Sequence, residues 1–211
     1  VVAKPLPGDD TAVELSAVIE AAQKKGLSGP LLIRFQDILR HRVQSLCRAF
    51  DEAIERFEYG GQYHGVFPLK VNELREVVEE VLDAGKDDAF GLEVGSKSEL
   101  SAALALQSNP HSLLICNGYK DANFIHTALM GTRLGKRVVL VVEKLDELQN
   151  IIEIARSEGV RPQLGIRLRL LSRSTGKWAD SGGEDSKFGL DTAQLMTALE
   201  ILREEGWEDC L

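Results

Sequence analysis

The stretch YHGVFPLKVNELREVVEEVLDAGKDDAFGLEV (63–94) holds one complete copy of the pattern that organises this chain. Residues 63–71 form a short β-rich run, the composition of a strand. Val77, Val78, Val81 and Leu82 then make one apolar face at helical spacing. Gly85 follows, where a left-handed residue ends a helix without a Cβ penalty. At 89–94 the sequence turns β-rich again.

The unit recurs. Runs of the same kind lie at 63–71, 89–94, 112–116, 137–143 and 163–170, with first residues 26, 23, 25 and 26 positions apart. Between the fourth and fifth, Leu145, Leu148, Ile151, Ile152 and Ala155 make a second helical face, and Gly135, Gly159 and Gly206 supply further helix stops. Ser96 with Glu99 has capping-box spacing, and Asp121 and Asp191 stand at other N-cap positions. Alternation of this period predicts an α/β fold with βαβ units and a parallel sheet. Five units are too few for a closed eight-stranded barrel, which takes about 250 residues. An open doubly wound sheet could be complete at five, yet no GxGxxG or GxxxxGK[ST] follows the first strand. Upstream, 31–35 reads as another short strand. Residues 37–57 carry Ile38, Leu39, Val43, Leu46, Phe50, Ile54 and Phe57 as an amphipathic helix. Residues 1–30 are expected to be a leader segment with its own short helix, and 31–211 the main domain.

The 211 residues suffice for one good-sized domain, and 44% hydrophobic with 27% charged residues is an ordinary globular balance. Lys and Arg number 25 against 33 Asp and Glu, a net charge of −8, which argues against nucleic acid or anionic membrane as principal partners. The longest aliphatic stretch, 138–142, falls far short of the roughly 20 residues that span a bilayer. The start, VVAKPLPGDD, has neither a signal-peptide pattern nor an initiating Met, so a piece of a longer chain is expected. Cys47, Cys116 and Cys210 are odd in number and lack a CxxC pair, which favours a reducing compartment and a cytoplasmic setting.

In parallel α/β folds the reacting groups sit at the carboxyl ends of strands. Here those ends read Lys70, Glu93 with Ser96, Asn117, Glu143, and Arg167 with Arg169. Polar strand ends also arise simply because loops begin there. Lys70 stands out because it follows Val66, Phe67, Pro68 and Leu69. Apolar surroundings would desolvate its ammonium and favour an imine-forming amine; alternatively, its stem snorkels to water. The 18-residue segment 172–189 (SRSTGKWADSGGEDSKFG) has no periodicity and exceeds the usual βα loop, which marks it as functional or as an insertion. His41, His64, His111 and His126 lack ligand spacing, Cys116 fits a core position, and the Glu-rich stretch 200–208 fits a solvated helix face.

Five segments in one order, PLLIRFQDIL (30–39), VFPLKVN (66–72), GLEVGSKSEL (91–100), ICNGYKD (115–121) and GKWADSGGEDSKFGL (176–190), closely resemble the biosynthetic arginine decarboxylases. These are pyridoxal-phosphate enzymes of fold type III, the alanine-racemase-like (β/α)8 barrel. The resemblance runs from about residue 30 to the end. It implies a partial barrel of about five strands, without the C-terminal half of the barrel or the β-domain. Position by position, it implies that Lys70 holds the cofactor aldehyde through an imine, and that Glu93, Ser96 and Arg167 line the cofactor pocket. Ser186 and Lys187, in the SKFG element, become substrate or loop candidates near the same rim. The sequence departs from the family at Ser98, usually Pro, at Asp185, usually Lys, and at Phe67, usually Tyr.

By resemblance, the full-length protein decarboxylates L-arginine to agmatine and CO2 on the route to putrescine and spermidine. It is expected to use pyridoxal 5'-phosphate, with magnesium as a possible requirement without visible ligands, and to assemble as a dimer of dimers. The fragment alone is expected to be inactive. The alternatives are a relative acting on ornithine, lysine or diaminopimelate, and a non-catalytic fragment with a binding role.

Overall fold

A computed structural model describes residues 1–169 and 189–211 and divides them into two compact units, Val1–Tyr63 with Leu74–Asp88, and His64–Glu73 with Ala89–Leu211. Residues 172–188 of the aperiodic segment, including Ser186 and Lys187, lie outside the described residues.

In the first unit, β1 (Val2–Ala3) pairs antiparallel with β2 (Val13–Glu14), a pairing that the reading of 1–30 as a leader did not foresee. Three helices follow, α1 (Leu15–Lys24), α2 (Gln36–Arg56) and α3 (Arg75–Ala84). The expected helix at 37–57 matches α2 to within one residue at each end. Arg40 ties α2 to α3 through Glu80 at 2.7 Å and Asp83 at 2.5 Å, and Gln36 Nε2 donates to the Glu76 carbonyl at 3.2 Å. Only part of the predicted apolar stripe is used. Val43 is buried together with Cys47, whereas Leu46, Phe50 and Phe57 stay exposed. Burial pushes the Cys47 thiol up to about 11.

The strand expected at 31–35 does not form a ladder among the described residues. The reason is visible at Leu32, which is 77% exposed. An apolar run becomes a strand only where a neighbouring edge accepts its hydrogen bonds and a core accepts its side chains.

In the second unit, β3 (Val66–Pro68), β4 (Gly91–Val94), β5 (Leu113–Cys116), β6 (Arg137–Val142) and β7 (Gln163–Ile166) form a sheet in the order β3-β4-β5-β6-β7. Every neighbouring pair is parallel. Strand order follows chain order with no reversal, so the described strands contain no switch point of the doubly wound kind. Helices α4 (Lys97–Leu106), α5 (Ala122–Arg133), α6 (Leu145–Glu158) and α7 (Thr192–Glu204) pack side by side in the same order. Winding always in one sense is the geometry of a barrel wall. Each strand is shorter than the β-rich run that predicted it, because residues beyond the ladder turn into the loops. The largest change is at 63–71, where Leu69–Val71 form a 3₁₀ turn after β3. Pro68, which has no N–H to donate, is the last residue of β3, where the ladder gives way to the turn.

Strand β6 shows how the core is divided. Val138, Leu140 and Val142 are buried, while Arg137, Val139 and Val141 alternate with them on the other face. The buried set continues into Leu92, Val94, Leu114 and Cys116, and meets Leu100, Phe124, Ile125, Leu129, Leu148 and Ile151 from the helices. Desolvation pushes the buried Cys116 thiol up to about 12, so it behaves as a core hydrophobe. Gly91 is required by this packing, since a Cβ there would lie 2.0 Å from the Leu113 carbonyl oxygen.

The helix punctuation is mostly as the sequence suggests. Gly135, Gly159 and Gly206 adopt positive φ, but Gly85 does not, with φ −101°. Asp191 and Gln194 complete a capping box at α7. At α4 the box is split: Ser96 Oγ accepts from the Glu99 N–H, but Glu99 reaches Gly95 N rather than that of Ser96. Asp121 caps α5 by accepting from the Phe124 N–H at 2.9 Å.

Two outcomes are expected. Leu140→Ala, emptying a position 1% exposed, should cost roughly 2–5 kcal/mol in a urea titration, while Met130→Ala on the exposed side of α5 should change stability by less than about 0.5 kcal/mol. The Asp121 carboxyl is held below the usual carboxylate range, first by the hydrogen bond from Lys97 Nζ and then by that from Phe124 N. A carboxyl depressed in the folded state contributes stability fully present above its unfolded pKa and lost as pH falls through the lowered value. Lys97→Met should therefore raise the Asp121 midpoint in a carboxyl NMR titration. An unmoved midpoint would contradict the pairing.

Candidate active site

The ladder register gathers the polar residues. Pro68 pairs with Glu93, Glu93 with Ile115, Ile115 with Val139, and Val141 with Gly165. Side chains two positions apart share a face, so Glu93, Asn117, Val141, Glu143 and Arg167 project on one side, opposite the helices. Together with Val66, Pro68, Lys70, Gly95 and Gly118 they line a cleft of about 690 Å³. That volume lies within the range of small-molecule and cofactor sites, about 300–1,000 Å³.

Two carboxylates are buried in this cleft, Glu93 and Glu143, each 7% exposed. Each has a cation and a neutral donor, as buried charges require. Asn117 Nδ2 donates to Glu93 Oε1 at 3.1 Å, and Lys70 Nζ lies 3.9 Å from the same oxygen. Arg167 Nη1 donates to Glu143 Oε1 at 3.0 Å, and the Gly118 N–H donates to it at 3.2 Å. The Lys70 side chain is 65% exposed, so the desolvation expected from its apolar predecessors is absent. Pro68 and Leu69 end the strand and turn the amine outward, next to Glu93 at ion-contact rather than hydrogen-bond distance.

Five of the expected strand-end residues, Lys70, Glu93, Asn117, Glu143 and Arg167, thus come together. Two do not line the cleft. Ser96 caps α4 and lies 3.1 Å from Ser98 Oγ, and Arg169 Nη2 reaches Asp191 at 3.3 Å beside the α7 cap. None of the four histidines lines the cleft. Among the described residues no group of three or more His, Cys, Asp or Glu is placed to hold a metal such as magnesium, and no helix is long and apolar enough to cross a membrane.

The sequence reading missed the support beneath the cleft. Gly118 has φ +77°, and a Cβ there would approach the Gly95 carbonyl oxygen to 2.9 Å. Lys120, with a side chain 0% exposed, pairs with Glu147 at 3.1 Å. The signals were present in NGYKD and in the i,i+4 spacing of Glu143 and Glu147, but neither stands out from ordinary loop and helix-face polarity.

A primary amine beside a buried carboxylate, at the mouth of a cofactor-sized cleft, fits an aldehyde cofactor held by lysine. Comparison with known proteins agrees. Residues 40–208 match the family described as pyridoxal-dependent decarboxylase, pyridoxal binding domain. The chain is 48% identical over 193 residues to the biosynthetic arginine decarboxylase of Parasynechococcus marenigrum, covering 92% of this chain and 30% of the relative. It is 46% identical over 209 residues to that of Deinococcus radiodurans, covering 99% and 31%. The chain therefore spans about a third of the length of these relatives. The crystal structure of the biosynthetic arginine decarboxylase SpeA from Campylobacter jejuni superposes with a TM-score of 0.81 at 31% identity, covering 92% of this chain and 31% of that one. A diaminopimelate decarboxylase from M. jannaschi shares the fold, with a TM-score of 0.73 at 23% identity over 88% of this chain and 41% of that one. The described sheet is thus part of the barrel that these structures share, and the chain belongs to the pyridoxal-dependent decarboxylase family.

Proposed function

We propose that the protein containing this chain decarboxylates L-arginine to agmatine and CO2, and that residues 31–211 supply the first part of its pyridoxal-phosphate barrel. The observation that carries this reading is Lys70, a primary amine at the mouth of the cleft and beside the buried Glu93. The arginine assignment draws support from the names of relatives 43–48% identical over nearly all of this chain. By the same resemblance the agmatine would feed polyamine synthesis, and the full-length protein would work in the cytoplasm as a dimer of dimers.

In this proposal Lys70 Nζ holds the cofactor at its aldehyde carbon, with Glu93 and Arg167 beside it. When bound, pyridoxal phosphate supplies a conjugated ring that accepts the electron pair released as the Cα–carboxylate bond breaks. The Glu93 carboxylate lies beside Nζ at ion-contact distance and helps to hold the amine at the cleft. Arg167, anchored by Glu143 and with a side chain 47% exposed, presents a guanidinium to anionic groups in the cleft. Val66, Pro68 and Val141 give the cleft apolar wall that limits water around the reacting groups.

Carbon dioxide release by the full-length protein with pyridoxal phosphate, from arginine, ornithine, lysine and diaminopimelate in parallel, tests the reading. Turnover of arginine alone, lost in Lys70→Ala, is expected. Turnover of another substrate would retain Lys70 and overturn the arginine assignment. Silence on all four would favour a non-catalytic binding role.

A further inference from the structure

We infer that Lys120 and Glu147, which do not face the cleft, are positioning residues that set the placement of Asn117 and Glu143 within it; this rests on the cleft being the pyridoxal phosphate site. Both side chains are out of water, at 0% and 5% exposure. Their hydrogen bonds close a ring around two loops. Lys120 Nζ donates to Glu147 Oε1 at 3.1 Å and to the Gly118 carbonyl at 2.6 Å. Glu147 Oε1 also accepts from the Lys120 N–H at 3.1 Å, while its other oxygen, Oε2, accepts from the Glu143 N–H at 2.8 Å. Gly118 N then donates to the Glu143 side chain at 3.2 Å.

One carboxylate therefore holds the backbone of the loop after β5 with one oxygen and that of the loop after β6 with the other. Asn117, which donates to Glu93, and Glu143, which accepts from Arg167, are the residues whose side chains those two loops send into the cleft. A buried ion pair is weak evidence for stability as such, since apolar residues of similar volume often replace one without loss. Its geometry, by contrast, cannot be copied by apolar residues, because both loops lose their shared acceptor.

The test separates these two roles in the full-length protein. The variants are Lys120→Met, Glu147→Gln, and the double Lys120→Met with Glu147→Leu. Urea midpoint, pyridoxal phosphate affinity by absorbance titration, and kcat and KM are measured for each. The double variant should recover much of the stability lost in Lys120→Met. Its cofactor affinity and kcat should stay lower by on the order of tenfold or more, as misplaced site groups produce. Glu147→Gln, which keeps the side-chain volume, should show the same loss and keeps the test readable if the double variant fails to fold. Folded variants with wild-type cofactor affinity and kcat would overturn the inference. The underlying reading is judged on the wild type alone. Uptake of pyridoxal phosphate with turnover of a different amino acid would remove the arginine assignment and leave the inference standing. No uptake at all would remove both.

Discussion

Parallel pairing in register, combined with the two-residue alternation of side chains, assigns every residue of β3–β7 to one of two faces. Leu92, Val94, Leu114, Cys116, Val138, Leu140 and Val142 take the face covered by α4–α6, where all are at most 2% exposed. Glu93, Asn117, Val141, Glu143 and Arg167 take the other. A slip of one residue between neighbouring strands would exchange the sets and drive carboxylates into an apolar layer. The hydrophobic layer that stabilises the fold therefore also places the site, because the same alternation defines both.

Burial of the helix-facing side leaves the loops to be fixed by other means. At the carboxyl ends the chain leaves the ladder, and backbone groups need new partners. The structure supplies them with polar side chains: Glu99 for Gly95, Glu143 for Gly118, and Glu147 for both Lys120 and Glu143. Each partner comes from the start of the following helix or from the next βα unit. Adjacent βα units are thus linked at the rim that bears the cleft as well as through their core, and the cleft wall follows from these links.

Much of this was legible in the residues, and the exceptions have physical causes. The strand–helix period, α2, the caps at Asp121 and Asp191 and the five strand-end residues of the cleft follow from local pattern. Residues 31–35 have the composition of a strand but form no ladder among the described residues, and composition cannot reveal whether a partner strand lies alongside. Gly85 follows a helix yet keeps negative φ, because a helix stop does not require a left-handed residue. Lys70 has apolar predecessors but turns outward after Pro68, so its exposure depends on the 3₁₀ turn rather than on its neighbours in sequence. Ser96 has a hydroxyl at the right strand end and spends it on α4. The Lys120–Glu147 pair joins residues 27 positions apart, a contact that only the stacking of consecutive βα units creates.

In the proposed reading, Lys70 is the one amine on this rim that takes the cofactor aldehyde. The most direct measurement is reduction of the full-length protein with borohydride in the presence of pyridoxal phosphate, followed by peptide mass spectrometry. A pyridoxyl group on Lys70 is the expected result. Labelling concentrated on another lysine, such as Lys97 or Lys144, with Lys70 unmodified, would contradict the claim.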